Sequence, residues 1–370
     1  MNKGLTSFRA LAFFAIFLFH IGRCGGGYIG VMAFFVLSGF LLTPILADMK
    51  SSLNMKDFFI HFYGRRAFRI FPLYYAYLVI VAAISFFAIS KYGHSIPMDE
   101  SILTNFDVFI ESLPWTATYT YDFFHVSNYF EFTPLATHFW SLAIEEQFYL
   151  VWPLAIFFIP PDYLKRFLLL VIAAGPLMRF LLMRGIDAHM LPVGVLGADL
   201  DIYVLPFSHL DAFAVGGYFA LYGKSRPGHL VWVSILLVLA LGMITSWLSE
   251  GEILWDRLGY GQFMYDSYKY VWGYSAVNLM FAYVLVHVRD KAFMPALFEN
   301  PLLVYLGTIS YGLYVFHFPV LWLVNELMRS YPEIVRILIS FSVTVMISMV
   351  SYEFMEKRFI NLKDKYFSRC

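Results

Sequence analysis

The sequence predicts an all-α fold, a polytopic integral membrane bundle of about ten transmembrane helices with both termini cytoplasmic. Hydrophobic residues make up 60% of the 370 residues and charged residues only 14%, against roughly a quarter charged in soluble domains. Long apolar runs also recur along the chain, each near the ~20 residues that a helix needs to cross roughly 30 Å of hydrocarbon. We therefore expect lipid to surround most of the chain.

The apolar runs are predicted to be helices rather than barrel strands, because they do not alternate polar and apolar residues. Their approximate centres, in chain order, are Phe14, Leu37, Ile80, Leu150, Leu170, Ala214, Ile235, Leu279, Tyr314 and Val345. The first run has the length of a signal-peptide core, but no small-residue cleavage site follows it. We expect it to be an uncleaved span.

Basic residues predict the orientation of the bundle. With a cytoplasmic N-terminus, the inner segments carry roughly 18 of the 26 Lys and Arg residues, as the positive-inside rule requires. An even number of spans then puts the C-terminus inside, and Cys24 and Cys370 on opposite sides. Lys56 to Phe71 is expected to lie in the inner interface or to re-enter from it. Gly93 to Thr137 is expected to form an outer cap with some helix.

Composition and motifs exclude several functions. Lys plus Arg equals Asp plus Glu at 26 each, so no net positive charge indicates nucleic-acid binding. Two cysteines cannot form a disulfide scaffold or a Cys-rich metal site. The sequence contains no phosphate loop, no H-E-x-x-H zinc helix and no C-x-x-C pair, so we expect no metal. Because no linker interrupts the chain, residues 1–370 are expected to form a single domain without a fused soluble domain.

Charged and imidazole groups inside a span are costly, which makes each of them a candidate for function. Arg9 and His20 are eleven residues apart in the first run. On a helix this is about three turns, which leaves them within roughly 20° of one face and about 16 Å apart along the axis. Two roles fit Arg9, an anchor at the inner interface and a part of the site. For His20 we favour a functional role.

An arginine cluster follows the second span. Arg65, Arg66 and Arg69 fall within five residues just before Pro72, and Arg65 and Arg69 are neighbours on a helix face. Guanidinium groups bind phosphate through paired hydrogen bonds. Two roles stay open: binding of anionic lipid together with setting of topology, and binding of a phosphate-rich ligand on the cytoplasmic side.

The fourth span opens with a polar constellation. At helical spacing His138, Ser141, Glu145 and Tyr149 share one face, while Trp140 and Gln147 share another. A carboxylate here could hold an imidazole in one tautomer or help to move a proton. Aromatic anchoring at the membrane interface would not explain a pair of glutamates inside an otherwise apolar run.

Weaker candidates lie in later spans. His209, Asp211, His317 and Glu353 are each either functional or part of a hydrogen bond between helices, and for Glu353 we favour the hydrogen bond. The small pair Ser38–Gly39 is expected to let another backbone approach the second span closely.

Taken in order, these motifs resemble acyltransferase family 3, the integral-membrane proteins that O-acetylate bacterial surface polysaccharides. The likeness covers nearly the whole chain. The motifs are R-x10-H (Arg9, His20), GVMAFFVLSGFLL, RR-x-x-R-x-x-P (Arg65 to Pro72), WSLAIEEQFY (Trp140 to Tyr149), LDAFAVGG (Leu210 to Gly217), SYGLYVFHFP (Ser310 to Pro319) and a Glu in the last span. The chain departs from the family at Met32, where an acidic or polar residue is frequent, and in its short glycine-rich loop after His20. Some members carry a fused esterase-like domain, for which this chain is too short.

The resemblance implies transfer of an acyl group from cytoplasmic acyl-CoA, such as acetyl-CoA, to a sugar hydroxyl. The acceptor would be a cell-surface or lipid-linked polysaccharide such as lipopolysaccharide, and the membrane the bacterial cytoplasmic (inner) one. The implied partners are acyl-CoA, the carbohydrate acceptor and the lipid bilayer, with no nucleic acid and an open oligomeric state.

The roles of individual residues follow as a hypothesis. His20 acts as general base on the acceptor hydroxyl, or carries the acyl group itself, and Glu145 orients or recharges its imidazole. Coenzyme A phosphates are held by Arg9, Arg65, Arg66 and Arg69. Substrate binding is assigned to Trp140, Ser141, Tyr149, His209, Asp211 and His317.

Two alternatives belong to other classes. A proton-coupled transporter or a flippase of lipid-linked sugars also suits buried Arg, His and Glu, although no inverted repeat or paired broken helices are found. A membrane-bound O-acyltransferase of the other large class also uses a membrane histidine, but the R-x10-H and WSL-x-x-E patterns argue against it.

Overall fold

The computed structural model describes residues 2–92, 100–191, 197–253, 255–261, 264 and 266–367. Within these ranges the regular structure is entirely helical, which confirms the all-α prediction. The α-helices are α1 Lys3–His20, α2 Ile29–Ser52, α3 Met55–Tyr92, α4 Glu100–Ala117, α5 Tyr121–His125, α6 Trp140–Phe158, α7 Pro161–Asp187, α8 Ala198–Val204, α9 Leu210–Tyr222, α10 His229–Glu250, α11 Lys269–Arg289, α12 Pro295–Phe298, α13 Pro301–Thr308, α14 Ser310–Leu327, α15 Glu333–Ser351 and α16 Lys357–Tyr366. A π-helical segment, Tyr352–Glu356, joins the last two.

Seven of these helices are long and apolar enough to cross a membrane, and eight if the bent pair α13 and α14 counts as one span. The seven are α1, α2, α3, α7, α10, α11 and the helix that begins with α15. The chain is therefore a multi-pass membrane protein, but the predicted count of ten is not confirmed. The orientation of the termini stays a prediction, and Cys370 lies outside the described residues.

Three predicted spans differ from the expected form, each for a physical reason. The helix around Leu150 has 19 residues, but the consecutive polar residues Glu145, Glu146 and Gln147 lower its hydropathy. The helix around Ala214 has only 13 residues, too few for roughly 30 Å of hydrocarbon. The run around Tyr314 belongs to the bent pair.

The basic segment after the second span is not a separate interfacial helix. Lys56 to Phe71 forms the first part of α3, a continuous helix of 38 residues that contains Pro72. At 1.5 Å per residue α3 is about 57 Å long, well beyond the hydrocarbon thickness. The arginine cluster is therefore joined rigidly to the third span.

The chain divides into two compact units, each built from two stretches of sequence. The first unit contains Met1–Leu53 and Trp152–Ser310. Its centre is the packing of α9 on α2, where the Gly39 position abuts the backbone of Phe213 and the Gly216 position abuts the backbone of Val36. A Cβ atom at either position would collide with the facing chain, so the predicted close approach at Ser38–Gly39 is confirmed.

The second unit contains Asn54–Val151 and Tyr311–Cys370. Tyrosine hydroxyls fasten the end of α4 and the segment after it to α3. Tyr74 donates to the carbonyl of Thr116 at 2.8 Å, Tyr75 to that of Ala117 at 3.0 Å and Tyr77 to that of Leu135 at 2.6 Å. The described part of the predicted cap, from residue 100 onwards, thus contains helix as expected. Residues 93–99 lie outside the described ranges.

Candidate active site

Arg9 and His20 lie on one uninterrupted helix of the first unit. α1 begins after Asn2, whose side chain accepts a hydrogen bond from the Leu5 amide, and His20 is its last residue. The predicted axial separation of about 16 Å therefore holds. Both side chains are partly buried, and the His20 ring lies 5.3 Å from the ring of Phe19. The functional roles of both residues stay predictions.

In the second unit, Arg66 and Arg69 are two partly buried cations on α3. The Arg66 guanidinium stands over the rings of Tyr149, at 5.4 Å, and Phe62, at 5.9 Å. Its Nε is buried without a hydrogen-bond partner. Arg69 interacts electrostatically with Arg66, Glu145 and Glu356. Within the described ranges, neither guanidinium donates a hydrogen bond to a protein acceptor, so both keep their binding capacity for a ligand.

The predicted face of α6 is confirmed in part. Tyr149 donates a short hydrogen bond to Oε1 of Glu145, one turn earlier. Arg69 of α3 interacts electrostatically with both groups. The structure thus brings Glu145 and Tyr149 together with Arg69. The predicted partnership of Glu145 with His20, which belongs to the other unit, stays a prediction.

A buried polar cluster occupies the start of α6 and the middle of α14. The Ser141 and Tyr314 hydroxyls share a short hydrogen bond, and Tyr314 donates to the carbonyl of His138 at 3.0 Å. His138 Nε2 donates to the Val315 carbonyl at 3.1 Å, and His317 Nδ1 donates to that of Tyr314 at 2.7 Å. The two imidazole rings lie 5.4 Å apart. Both histidines are tied to backbone carbonyls, and Ser141 and His317 each contact Tyr314. Their role in substrate binding stays a prediction.

Trp140, the other residue of this motif assigned to substrate binding, is buried at 8% exposure. Within the described ranges no group of three or more His, Cys, Asp or Glu side chains is arranged to hold a metal ion.

His209 and Asp211 are held inside the first unit. Asp211 accepts two hydrogen bonds at 2.9 Å from Arg179 of α7, and both side chains are fully buried. Ser275 donates to the same carboxylate at 2.6 Å. His209 is fully buried too and donates through Nε2 to the Tyr203 carbonyl at 2.6 Å. This geometry favours the second of the two roles considered for these residues, a hydrogen bond between helices.

Glu353 is exposed and pairs with Lys357 one turn later, at 2.8 Å. The predicted hydrogen bond between helices is therefore wrong for Glu353, because its partner lies on the next turn of the same segment. The buried glutamate of the last span is Glu356, which is 6% exposed, accepts a hydrogen bond from Ser351 at 3.2 Å and interacts with Arg69. The π-helical segment is what turns Glu356 inward and Glu353 outward.

Three further buried groups were not singled out from the sequence. Arg179 could have been recognised from the sequence, because it is a charged residue inside an apolar run. Lys269 donates to Ser246 Oγ at 2.6 Å and to the Gly259 carbonyl at 3.0 Å. His287 donates from Nδ1 to the Tyr283 carbonyl and accepts at Nε2 from the Arg226 amide. Both ring nitrogens of His287 are thus engaged by the fold.

The segment between α4 and α6 contains an acid and a base with opposite perturbations. Burial raises the pKa of Asp122 to about 7, although hydrogen bonds from Gln147 and the backbone act against this. Burial lowers the pKa of His125 to about 4, and its ring stacks on Phe130 at 4.1 Å. At neutral pH His125 is therefore uncharged, and Asp122 is close to its titration midpoint.

Comparison with known proteins adds to this geometry. The sequence pattern of an acyltransferase domain family, Acyl_transf_3, matches residues 2–353. A peptidoglycan O-acetyltransferase, OatA, of Listeria monocytogenes is 28% identical over 95% of this chain and 54% of its own length. An O-acetyltransferase OatA of Staphylococcus aureus is 28% identical over 95% of this chain and 56% of its own length. The chain thus spans about half the length of these relatives. No solved structure matches the chain.

Proposed function

This chain belongs to acyltransferase family 3, and we propose that it moves an acyl group from cytoplasmic acyl-CoA to a sugar hydroxyl. The acyl group is taken to be acetyl, because the relatives are named O-acetyltransferases. The membrane is proposed to be the bacterial cytoplasmic membrane, with the arginine cluster of α3 on the inner side.

One observation carries the donor assignment. Arg66 and Arg69 are neighbouring cations that donate no hydrogen bond to protein within the described ranges, although Arg66 Nε is buried. Buried charges are stable only when they are paired and hydrogen-bonded. Coenzyme A is polyanionic, and guanidinium groups bind phosphate oxygens through paired hydrogen bonds. A phosphate ligand at this place would supply the missing acceptors.

The proposed chemistry uses His20 as general base. His20 takes the proton of the acceptor hydroxyl as its oxygen attacks the thioester carbonyl. A carbon–oxygen bond forms, the carbon–sulfur bond breaks, and the coenzyme A thiolate takes up the proton. General-base catalysis of this kind contributes roughly 10²–10⁴-fold to the rate. Glu145, which accepts from Tyr149, is proposed to help return the proton.

The acceptor class rests on the relatives. One of them is named for peptidoglycan, so we propose a hydroxyl of a cell-wall glycan such as peptidoglycan, in place of the lipopolysaccharide suggested by the sequence. The buried cluster of Ser141, Tyr314 and His317 offers hydroxyl and imidazole groups of the kind that hold sugar hydroxyls, and we propose that it borders the acceptor.

Thioester cleavage by purified protein tests this proposal. The full chain in a neutral detergent is incubated with acetyl-CoA and a soluble muramyl oligosaccharide, and both the released thiol and the O-acetyl sugar are measured. We expect His20→Ala to lower the rate by roughly 10²–10⁴-fold. His229→Ala, a change at an exposed histidine of α10, is the matched control and should keep the rate.

The outcomes separate the candidate functions. A transporter or flippase would release no coenzyme A thiol under any of these conditions. Near-full activity in a correctly folded His20→Ala variant would remove His20 from the catalytic role. Arg69→Gln should mainly weaken coenzyme A binding, so a large loss of rate at unchanged donor affinity would take the arginines out of the phosphate role.

A further inference from the structure

The C-terminal helix α16 docks on the basic part of α3. The ring of Phe367 covers the Gly64 position, where a side chain would collide with it. The same ring makes edge contacts with Phe68 at 5.8 Å and His61 at 6.0 Å. Arg65 Nη1 donates a short hydrogen bond to the Phe367 carbonyl. The tail is therefore fixed against the arginine cluster.

At this junction two cations share one carboxylate oxygen. Arg65 Nη2 and Lys363 Nζ each lie 3.4 Å from Oδ1 of Asp364. Lys363 is 8% exposed, whereas the Asp364 side chain is 58% exposed. Lys363 also interacts electrostatically with Arg69. The groups that interact with Lys363 are thus one solvent-exposed carboxylate and two guanidinium groups, a local excess of positive charge. Arg69 itself also interacts with Glu145 and Glu356.

Such an excess indicates an anionic ligand. Like charges brought together away from water oppose one another unless a counter-charge joins them. A phosphate group presents three strong acceptor oxygens, enough to contact an ammonium and a guanidinium together. Asp364 can exchange for a phosphate oxygen, because its own side chain is 58% exposed and water can solvate it outside the site.

We propose that Lys363 is a further phosphate-binding cation of the donor site, and that Asp364 holds the place of a phosphate oxygen until the donor displaces it. This inference rests on the proposed acyl-CoA donor. In this arrangement the C-terminal helix α16 forms one wall of the donor site, and α3 supplies the arginines. The chemistry recognised is a phosphate group, which a nucleotide or a phospholipid headgroup carries.

Titration of the purified full chain with coenzyme A tests the inference. In a neutral detergent, Lys363→Gln should weaken binding about tenfold or more, because a hydrogen bond to a charged group contributes roughly 1.5–3 kcal/mol. Asp364→Asn should tighten binding a few-fold, since it removes a competing charge. Lys365→Gln makes the same change at an exposed position of α16 and should bind like the unaltered protein.

A conservative variant controls for folding. Lys363→Arg keeps the charge, so it should bind at least tenfold more tightly than Lys363→Gln, with the same elution profile on a sizing column. If Lys363→Gln, Lys365→Gln and the unaltered chain bind coenzyme A equally while Arg69→Gln binds less, the inference is overturned and the proposed donor stands. If the unaltered chain binds no coenzyme A, the donor proposal itself fails.

A lipid arm distinguishes the two sources of phosphate. The same variants are placed in nanodiscs of phosphatidylcholine with or without phosphatidylglycerol, and retained phosphatidylglycerol is measured after purification. If Lys363→Gln lowers that retention and leaves coenzyme A affinity unchanged, the site takes a lipid headgroup and the inference is overturned. If Lys363→Gln loses coenzyme A affinity in nanodiscs of pure phosphatidylcholine, the result supports the inference.

Discussion

The ion pair between Arg179 and Asp211 should hold the first unit together, and its removal makes the sharpest test of the structure. Arg179 donates to both oxygens of Asp211 at 2.9 Å, to the Val271 carbonyl at 2.9 Å and to Ser275 Oγ at 2.7 Å. It also makes a short hydrogen bond to the Ser208 carbonyl. Neither charged side chain is exposed to solvent. The pair therefore joins α7, α9 and α11 at one point.

Asp211→Asn removes the negative charge and leaves the guanidinium buried. Breaking one partner of a buried pair destabilises a protein by about 3–5 kcal/mol. In a unit of this size such a loss lowers the melting temperature by roughly 10 °C. The double variant Arg179→Met/Asp211→Leu removes both charges, so it should recover a large part of the lost stability.

Thermal unfolding of the detergent-solubilised chain measures these differences. Glu353→Gln is the matched control, because it breaks an exposed pair with Lys357 that should contribute about 0–1 kcal/mol. A single variant that unfolds within about 1 °C of the control would refute the reasoning. Acetyl transfer by the folded double variant then distinguishes a structural role of Asp211 from the predicted substrate contact, since only the substrate contact requires the carboxylate.

Three further predictions follow from other sites. Gly39→Ala should reduce the yield of folded protein sharply, because α9 occupies the space of its Cβ atom; the ratio of monodisperse to aggregated protein on a sizing column measures this, and an unchanged ratio would contradict it. Asp122 has a folded-state pKa of about 7, against an ordinary pKa of 3.8, so its contribution to stability falls as the pH rises from about 4 to about 7. His125 has a folded-state pKa of about 4, against an ordinary pKa of 6.5, so its contribution to stability rises as the pH rises from about 4 to about 6.5. Between pH values of about 4 and about 6.5, the melting temperature of Asp122→Asn should therefore rise with pH more steeply than that of the unaltered chain. Parallel profiles would count against the assignment. Glu356→Gln should tighten coenzyme A binding a few-fold, because the glutamate competes with phosphate for Arg69; weaker binding in the variant would mean that Glu356 instead orients the arginine.

The spans that the sequence predicts correctly are those whose signal lies within one contiguous segment. α2 and α10 each contain a long apolar run, so hydropathy alone identifies them. α6 and α9 fail for opposite reasons, the first because Glu145, Glu146 and Gln147 interrupt it and the second because it ends after 13 residues. The close approach at Gly39 is predictable for the same local reason, since a glycine in an apolar helix indicates packing against a backbone.

Partners that are distant in the sequence are not predictable in this way. Arg179 lies 32 residues before Asp211, and no local sequence pattern at either residue predicts the other as its partner. Its position inside an apolar run could have marked Arg179 as unusual, although the sequence analysis did not single it out, but only the packing of α7 against α9 shows that Asp211 neutralises it. Lys363 is harder still, because α16 is so rich in charge that its pattern predicts a solvated helix. The contact of Phe367 with the Gly64 position is what buries one face of it.

The buried cations of this protein fall into two groups by what the fold does with their hydrogen bonds. Arg179 donates to five acceptors of the protein, and Lys269 donates to Ser246 and to the Gly259 carbonyl. Arg66 and Arg69 donate to none within the described ranges, although a buried charge without acceptors is costly. In the part of the chain that the structure describes, the fold supplies protein acceptors to the guanidinium of Arg179 but not to those of Arg66 and Arg69. This difference favours a role for the two arginines of α3 in binding a ligand. A ligand that brings acceptors would complete the hydrogen bonding of these two partly buried guanidinium groups, which is why the donor is proposed to bind in the second unit rather than at the ion pair of the first.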